Sequence, residues 1–281
     1  MISLIADTTS SIPPAVANEL GIAYVPQVII FGNESFKDDY ELDTETFIKR
    51  LRASTELPKT AAPSPAFYAP YFEKFSANGD TIVVLVPSGD VSGTLRGATV
   101  GAEDFPNADI RIIDTRTVGS GLGSLVFKAH QWIKEGMDAD TLVARIKEMA
   151  SRQRVYFVVD TLEYLHKGGR IGGAKMLMGS LLQVKPILQV TDGHIEPFEN
   201  QRTKRRAVAR LKEIIAADCP RDGDAHLTIM HGDALEDANQ FADELAAETG
   251  MPRPEIYNLP PAILVHAGPG VLAASFFIKA G

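Results

Sequence analysis

The sequence contains almost no cysteine, and acidic residues outnumber basic ones. Cys219 is the one cysteine in 281 residues, which excludes an internal disulfide framework and a cysteine-based zinc site. We interpret it as a structural residue of a protein in a reducing cytoplasm. The net charge of −8, from 28 basic and 36 acidic residues, argues against a general nucleic-acid-binding protein, whose binding surface would be basic.

Long apolar runs are also missing. No stretch approaches the roughly 18 uninterrupted apolar residues of a transmembrane helix, and residues 1–11 lack the basic and apolar regions of a signal peptide. We therefore expect a cytoplasmic protein without stable membrane insertion. A composition of 45% hydrophobic and 23% charged residues supports a core of ordinary size, and the length makes two domains at least as plausible as one.

Strand-like and helix-like segments alternate through the first half of the chain. Residues 81–87 (TIVVLVP) predict a strand buried on both faces, and residues 43–54 carry apolar side chains at helical spacing. Residues 22–31 (IAYVPQVIIF) are rich in β-branched side chains and favour another strand. This order predicts βαβ units, so we expect an N-terminal α/β domain over residues 1–153, with a largely parallel sheet and flanking helices.

The second half mixes hairpins with helices. Asp192-Gly193 lies between two strand-like runs and predicts a hairpin. Residues 262–268 (AILVHAG) favour a strand, and residues 270–278 (GVLAASFFI) favour a closing helix. We expect a C-terminal α+β domain over residues 154–281.

Three hydroxyl-rich loops follow predicted strands of the first half. They are residues 7–11 (DTTSS), 88–94 (SGDVSGT) and 114–121 (DTRTVGSG). In parallel sheets ligands bind outside the carboxyl ends of strands. Hydroxyls and backbone N–H groups at helix N-termini suit an anion, although Ser and Thr at such positions also cap helices.

The common catalytic motifs are absent or incomplete. Residues 168–175 (GGRIGGAK) lack the Gly-Lys-Ser/Thr ending of a phosphate loop, and Ser92 does not lie in a Gly-x-Ser-x-Gly turn. The six histidines lack metal-ligand spacing. We expect no metal, no cofactor and no catalytic residue in this chain.

Seven stretches, read together, resemble the DegV family of bacterial fatty-acid-binding proteins. Their order and spacing span the chain from the first strand to the last residues: IADTTSSIP (5–13), KTAAPSPAFY (59–68), DVSGTLRGA (90–98), IIDTRTVGSGLG (112–123), LEYLHKGGRIGGAKMLMGSLLQVKPIL (162–188), DGHIEPFENQRTKRRA (192–207) and HAGPGVLAASF (266–276). The resemblance implies a two-domain fold that holds a long-chain fatty acid near the domain interface. The family's carboxylate-binding threonine and serine fall on Thr60 and Ser92. The histidine before its Gly-Pro-Gly turn falls on His266, a further ligand-binding candidate, and an arginine near the head group falls on Arg202.

The resemblance also implies a carrier role. In the better-understood members of this family the bound acid, palmitate for example, is presented to a separate ATP-dependent fatty acid kinase, which makes the acyl phosphate in fatty acid metabolism. The family often has threonine after the histidine, whereas this chain has Ala267, so one hydroxyl is lost beside His266.

The local chemistry agrees with this assignment. Pro63 and Pro65 stiffen the loop after Thr60, and Gly93 lets the backbone beside Ser92 approach a head group. Residues 175–190 and 270–278 are apolar enough to line a tunnel for the tail.

A run of basic residues suits docking of the kinase, or else forms a solvated helix face. Its members are Arg202, Lys204, Arg205, Arg206, Arg210 and Lys212, with Lys167 and Arg170 of the same charge elsewhere.

Two other functions stay open at this point. A lipid or small-ester hydrolase would use Ser92 as nucleophile and His266 as base, but the sequence identifies no acid to orient the histidine. A phosphotransfer domain with a covalent His266 rests only on an analogy with the fold of dihydroxyacetone kinases.

Overall fold

The computed structural model describes residues 1–178, 184–221 and 223–279. The first half of the chain forms β1 (Ile2–Asp7), α1 (Pro14–Glu19), β2 (Ala23–Val25), β3 (Val28–Phe31), β4 (Glu34–Lys37), α2 (Thr44–Ala53), β5 (Lys59–Ala61), α3 (Pro65–Ala77), β6 (Thr81–Val86), α4 (Thr94–Glu103), β7 (Ile110–Asp114), α5 (Ser120–Lys134) and α6 (Ala139–Ser151). The second half forms β8 (Gln153–Val158), α7 (Glu163–Lys167), β9 (Lys185–Thr191), β10 (His194–Gln201), α8 (Lys204–Asp218), β11 (Thr228–His231), α9 (Leu235–Thr249), β12 (Glu255–Asn258), α10 (Pro261–Ala267) and β13 (Leu272–Phe277).

The first sheet is parallel and is covered on both faces. Its strand order is β2-β1-β6-β7. Successive residues of a strand point to opposite faces, so Val83 and Leu85 pack with α5 and α6, whereas Val84 and Val86 pack with α3 and α4. All four strands run in one direction, so the loops that follow them meet at one edge.

The second sheet has six strands in the order β10-β9-β8-β13-β11-β12 and is mixed. Tyr156 and Val158 of β8 pack with α8 and α9 on one face. Val155 and Phe157 point to the other face, into a separate apolar cluster. Both faces are therefore apolar, and both must be covered.

A three-stranded sheet, β4-β3-β5, helps to cover that second face. Ile29 and Phe31 of β3 and Phe47 of α2 share one buried cluster with Phe157 and Leu188 of the six-stranded sheet. This core joins residues from both sides of position 153. The division into domains 1–153 and 154–281 stays a prediction, because the segment 28–53 packs with the second half.

The predicted α/β class, the parallel first sheet and the hairpin at Asp192-Gly193 are confirmed. Residues 22–31 instead form two strands in different sheets, since the chain leaves β2 at Pro26 and Gln27.

Two predictions near the C-terminal end are wrong. Residues 262–268 were expected as a strand, but Pro261–Ala267 is a helix that begins at a proline and ends before Gly268, whose φ is +74°. Residues 270–278 were expected as a helix, but Leu272–Phe277 is a strand between β8 and β11, buried on both faces. In apolar runs as short as these, periodicity does not distinguish a helix from a strand.

Among the described residues, no helix combines the length and apolar character needed to cross a bilayer. Within the same residues, no group of three or more His, Cys, Asp and Glu side chains is arranged to hold a metal ion.

Gly97 sets the distance between α4 and the loop that precedes α3. A Cβ atom at this position would lie 2.3 Å from the Pro63 carbonyl oxygen. This contact holds the loop carrying Thr60 near the start of α4, where Ser92 lies.

We predict that Gly97→Ala lowers the free energy of unfolding by about 1–3 kcal/mol, because the helix and the loop must separate. The usual effect of Gly→Ala inside a helix is the opposite, a gain of about 0.5–1 kcal/mol. Urea unfolding measures the difference, with Val100→Ala at an exposed position of the same helix as control. A Gly97→Ala protein at least as stable as the wild type would contradict this packing.

Candidate functional site

A cavity lies between the carboxyl edge of the first sheet and the second face of the six-stranded sheet. Its empty volume is about 920 Å³, counting the open space at its mouth. Each of the three predicted hydroxyl-rich loops contributes to it, with Thr9, Ser92 and Gly119 among the lining residues.

Most of the lining is apolar. Among the described residues, 24 line the cavity, and sixteen of these have apolar side chains: Ala62, Pro87, Val91, Val118, Val155, Phe157, Leu165, Val190, Ile195, Met230, Leu259, Ala262, Ile263, Ala267, Val271 and Ala273. The six polar members are Thr9, Gln27, Thr60, Ser92, Arg170 and His266. An apolar cavity with a few polar groups suits a ligand with a long apolar part and a small polar end.

Thr60 and His266 are 206 positions apart in the chain and form a hydrogen bond in the cavity wall. Thr60 lies on β5, where it pairs with Ile29, and His266 lies in the last turn of α10. The distance from Thr60 Oγ1 to His266 Nε2 is 2.9 Å. The other ring nitrogen, Nδ1, is buried and has no hydrogen-bond partner within the described residues.

The environment of His266 favours the neutral imidazole. Burial, assisted by the nearby positive charge of Arg170, lowers the pKa of His266 to about 4. The ring also lies against Gly168, where a Cβ atom would be 2.2 Å from Nδ1.

Ser92 lies two residues before the first residue of α4 and lines the cavity. Its Oγ accepts a hydrogen bond of 3.3 Å from the Thr94 backbone N–H, and it lies 2.8 Å from Thr94 Oγ1. Gly93, the residue directly before the helix, also lines the cavity, and a Cβ atom there would be 3.3 Å from the Ala62 Cβ. The glycine therefore makes room for the loop of Ala62 as well as for the cavity.

Behind Ser92 lies a buried polar cluster. Thr94 Oγ1 donates to Asp7 Oδ2 at 3.1 Å, and Gln27 Nε2 donates to Asp7 Oδ2 at 2.6 Å and to Thr94 Oγ1 at 2.8 Å. Asp7 Oδ1 accepts from the backbone N–H and the hydroxyl of Thr9. Burial raises the pKa of Asp7 to about 6, although these hydrogen bonds lower it.

Arg170 is the cation that the structure places at the cavity. The sequence suggested only that it adds to the basic surface, but it lines the cavity, and its guanidinium donates to the carbonyls of Val91 and Gly168. The residues around Arg170 gave no signal for this position, because only the fold brings Gly168 and Arg170 beside His266.

Arg202 is not brought to the cavity. It is exposed between β10 and α8 and is not one of the lining residues. Its assignment to the ligand head group stays a prediction that this geometry does not support.

Half of the basic run forms ion pairs. Lys204 pairs with Asp160, Arg210 with Glu199, and Lys212 with Glu244 and Glu248. Within the described part of the chain, the side chains of Arg202, Arg205 and Arg206 form no ion pair, and all three are exposed.

Residues 175–190 and 270–278, which were predicted to line a tunnel for the tail, supply only part of the cavity lining. Val190, Val271 and Ala273 line the cavity, whereas Met176 is 78% exposed. Gly179–Gln183 lie outside the described residues.

The geometry does not assemble a nucleophile with its base. Ser92 Oγ is hydrogen-bonded to Thr94, and His266 Nε2 is hydrogen-bonded to Thr60. A serine nucleophile needs a hydrogen bond to the histidine and an acid on the other ring nitrogen, and neither occurs within the described residues.

The fold and the cavity define an α/β protein with an open, mainly apolar cavity whose wall includes hydroxyls and an imidazole. A family profile described as "Uncharacterised protein, DegV family" matches residues 1–279, and the chain belongs to this family.

Relatives match over the full length. A DegV domain-containing protein from Streptomyces coelicolor is 33% identical over 273 residues, 96% of each chain. The crystal structure of a fatty acid binding DegV family protein from Streptococcus agalactiae matches with a TM-score of 0.91 at 30% identity, covering 100% of this chain and 99% of the other. The structure of DegV, a fatty acid binding protein from Bacillus subtilis, matches with a TM-score of 0.89 at 29% identity over 99% of both chains.

We predict that His266 stays neutral in the unliganded protein down to about pH 5 and titrates near pH 4. Because the unfolded histidine binds its proton at about pH 6.5, this residue makes the folded state less stable as the pH falls from about 6.5 to 4. NMR titration of isotope-labelled histidine measures the midpoint, and the signal missing in His266→Gln identifies the residue. A midpoint at or above 6.5 would contradict the buried, uncharged ring.

Proposed function

We propose that this chain binds a long-chain fatty acid in the cavity and presents it to a separate fatty acid kinase. The observation that carries the proposal is the mainly apolar cavity with Thr60, Ser92 and His266 in its wall. The family relationship supports it, since the similar proteins from Streptococcus agalactiae and Bacillus subtilis are described as fatty acid binding.

The tail supplies most of the affinity. Each buried methylene contributes about 0.8 kcal/mol, so a sixteen-carbon chain gains on the order of 10 kcal/mol before the cost of ordering it. The head group then fixes the direction in which the acid enters.

The carboxylate accepts hydrogen bonds from two hydroxyls. If His266 carries its proton on Nε2, the ring donates to Thr60 Oγ1, and the Thr60 hydroxyl proton is free to donate to the carboxylate. This tautomer leaves Nδ1 without a proton, which fits a buried nitrogen that has no acceptor nearby. Ser92 supplies the second hydroxyl, and Arg170 supplies positive charge at the same cavity.

In this proposal the chain is a carrier and the kinase is the catalyst. The docking surface is the exposed part of the basic run, Arg202, Arg205 and Arg206, together with Lys204. Phosphate-carrying partners recognise such cations by charge complementarity.

Native mass spectrometry of the purified protein tests the binding step. We expect a bound acyl chain on the wild type, and one palmitate per chain after removal of the lipid and addition of palmitate. A delipidated protein that binds neither palmitate nor oleate would refute the proposal.

Thr60→Val removes one head-group donor and should weaken palmitate binding about 5- to 100-fold, the effect of losing a hydrogen bond worth about 1–3 kcal/mol. Titration with palmitate measures the dissociation constant. Thr99→Val is the matched control, because it removes an exposed hydroxyl of α4 that bonds only the helix backbone. Equal weakening by both variants would contradict the assignment of Thr60.

The double variant Arg205→Glu/Arg206→Glu should reduce acyl-phosphate formation by the kinase at least tenfold and leave palmitate binding unchanged, because charge repulsion acts on docking. Lys134→Glu/Lys147→Glu, at exposed positions of α5 and α6, makes the same change in net charge elsewhere. A loss of the same size in both double variants would contradict a specific docking surface.

A further inference from the structure

The carboxyl group of Asp7 is buried without a cationic partner. It is 1% exposed, and its hydrogen-bond donors are Thr9, Gln27 and Thr94, all of them neutral. No lysine, arginine or histidine within the described residues pairs with it. A buried carboxyl in such a place is costly to ionise, and a protein keeps one there only when its hydrogen bonds are satisfied.

Asp7 is linked to the cavity by a chain of hydroxyls. The link runs from Asp7 Oδ2 to Thr94 Oγ1 at 3.1 Å and from Thr94 Oγ1 to Ser92 Oγ at 2.8 Å. Ser92 lines the cavity, so along this path two hydroxyl groups separate the buried carboxyl from the space where a ligand carboxylate would lie. Thr9 and Gln27, which donate to Asp7 directly, also line the cavity.

The ionisation state of Asp7 limits the directions in which the hydroxyl protons of this link can point. When Asp7 is ionised, the single hydroxyl proton of Thr94 goes to Asp7, and Thr94 Oγ1 can only accept from Ser92 and Gln27. The Ser92 proton then either points back to Thr94 or turns to the cavity. When Asp7 is protonated, it can donate to Thr94, Thr94 donates to Ser92, and the Ser92 proton is directed into the cavity.

Resting on the proposed function, we infer that Asp7 is a positioning residue for the ligand head group: through Thr94 it sets the direction of the Ser92 hydroxyl, and a fatty acid carboxylate binds with uptake of one proton by Asp7. The proton comes from the solvent, and no bond other than the O–H of Asp7 is formed. Two carboxylates close together in a poorly solvated site favour protonation of one of them.

The surroundings of Asp7 agree with a group poised to take up a proton. The titratable groups that interact electrostatically with it are Tyr24 of β2, Tyr68 of α3 and Asp38 of the loop after β4. Burial holds the pKa of each of them well above its usual value, so the two tyrosines are uncharged at pH 7. Asp7 itself, with a pKa raised to about 6 by burial, is mostly ionised at pH 7 before the ligand binds.

Isothermal titration calorimetry of palmitate binding tests the inference. At pH 7, titrations in buffers of different ionisation enthalpy count the protons taken up. We expect the wild type to take up between half a proton and one proton more than Asp7→Asn, and its affinity to fall more steeply with rising pH above 6. Protonation of palmitate itself is common to both proteins and cancels in the difference.

Asp80→Asn is the matched control. Asp80 is also a buried carboxyl, 6% exposed, but it lies beside Ser3 and the N-terminal amine at the opposite end of the first sheet. This variant should take up as many protons as the wild type.

If Asp7→Asn does not fold, a second pair of variants, at Thr94, tests the same inference. Thr94→Ser retains the hydroxyl and should retain the uptake, whereas Thr94→Val breaks the link and should lose at least half of it. Equal proton uptake in Asp7→Asn and wild type, or in the two Thr94 variants, would overturn the inference. A wild type that binds no palmitate would instead overturn the proposed function, and the inference with it.

Discussion

The six-stranded sheet is apolar on both faces, and the rest of the molecule is arranged to cover it. Helices α8 and α9 cover one face through Tyr156 and Val158 of β8 and their neighbours. The other face is covered by segments from both halves of the chain, including β3, α2 and α10. This cover also encloses the cavity, whose apolar lining is therefore a part of the core surface that another molecule can occupy.

The polar end of the cavity follows from how that cover is assembled. The first sheet presents the ends of its parallel strands there, which brings in Thr9 and Ser92. The three-stranded sheet brings Thr60, and α10 brings His266, so one hydrogen bond joins the two halves of the chain at the site. Binding of a carboxylate at this point would connect elements that are far apart in sequence.

Much of the fold could be predicted from local sequence patterns. The alternation of apolar runs with helical spacing predicted the parallel first sheet, because each element shows its own periodicity. The errors at 262–268 and 270–278 have the opposite cause. Both segments are apolar on every side, so their structure depends on which neighbours they pack against rather than on any pattern within them. The apolar core that joins residues from both sides of position 153 could not be predicted either, since no local sequence signal shows that β3 packs against Phe157.

The site was predictable only in part. From its own residues, Ser92 favoured a helix N-cap, but the N-cap of α4 is Gly93, and Ser92 Oγ instead accepts a hydrogen bond from the Thr94 backbone N–H. Thr60 and His266 gained their assignment from the family resemblance, and the structure brings the two side chains together. Arg170 and Arg202 could not be told apart by sequence, because both are cations beside polar turns and only the tertiary fold decides which one reaches the cavity. Asp7 is buried behind the cavity wall, whereas Gln27 lines it. Both are linked to Ser92 through Thr94, which is 87 positions from Asp7.

The most direct measurement is a crystal structure of the chain with palmitate. The account predicts the tail along the apolar lining and the carboxylate oxygens within hydrogen-bond distance of Thr60 Oγ1 and Ser92 Oγ. A carboxylate held by Arg202, or a tail lying outside the cavity, would contradict it.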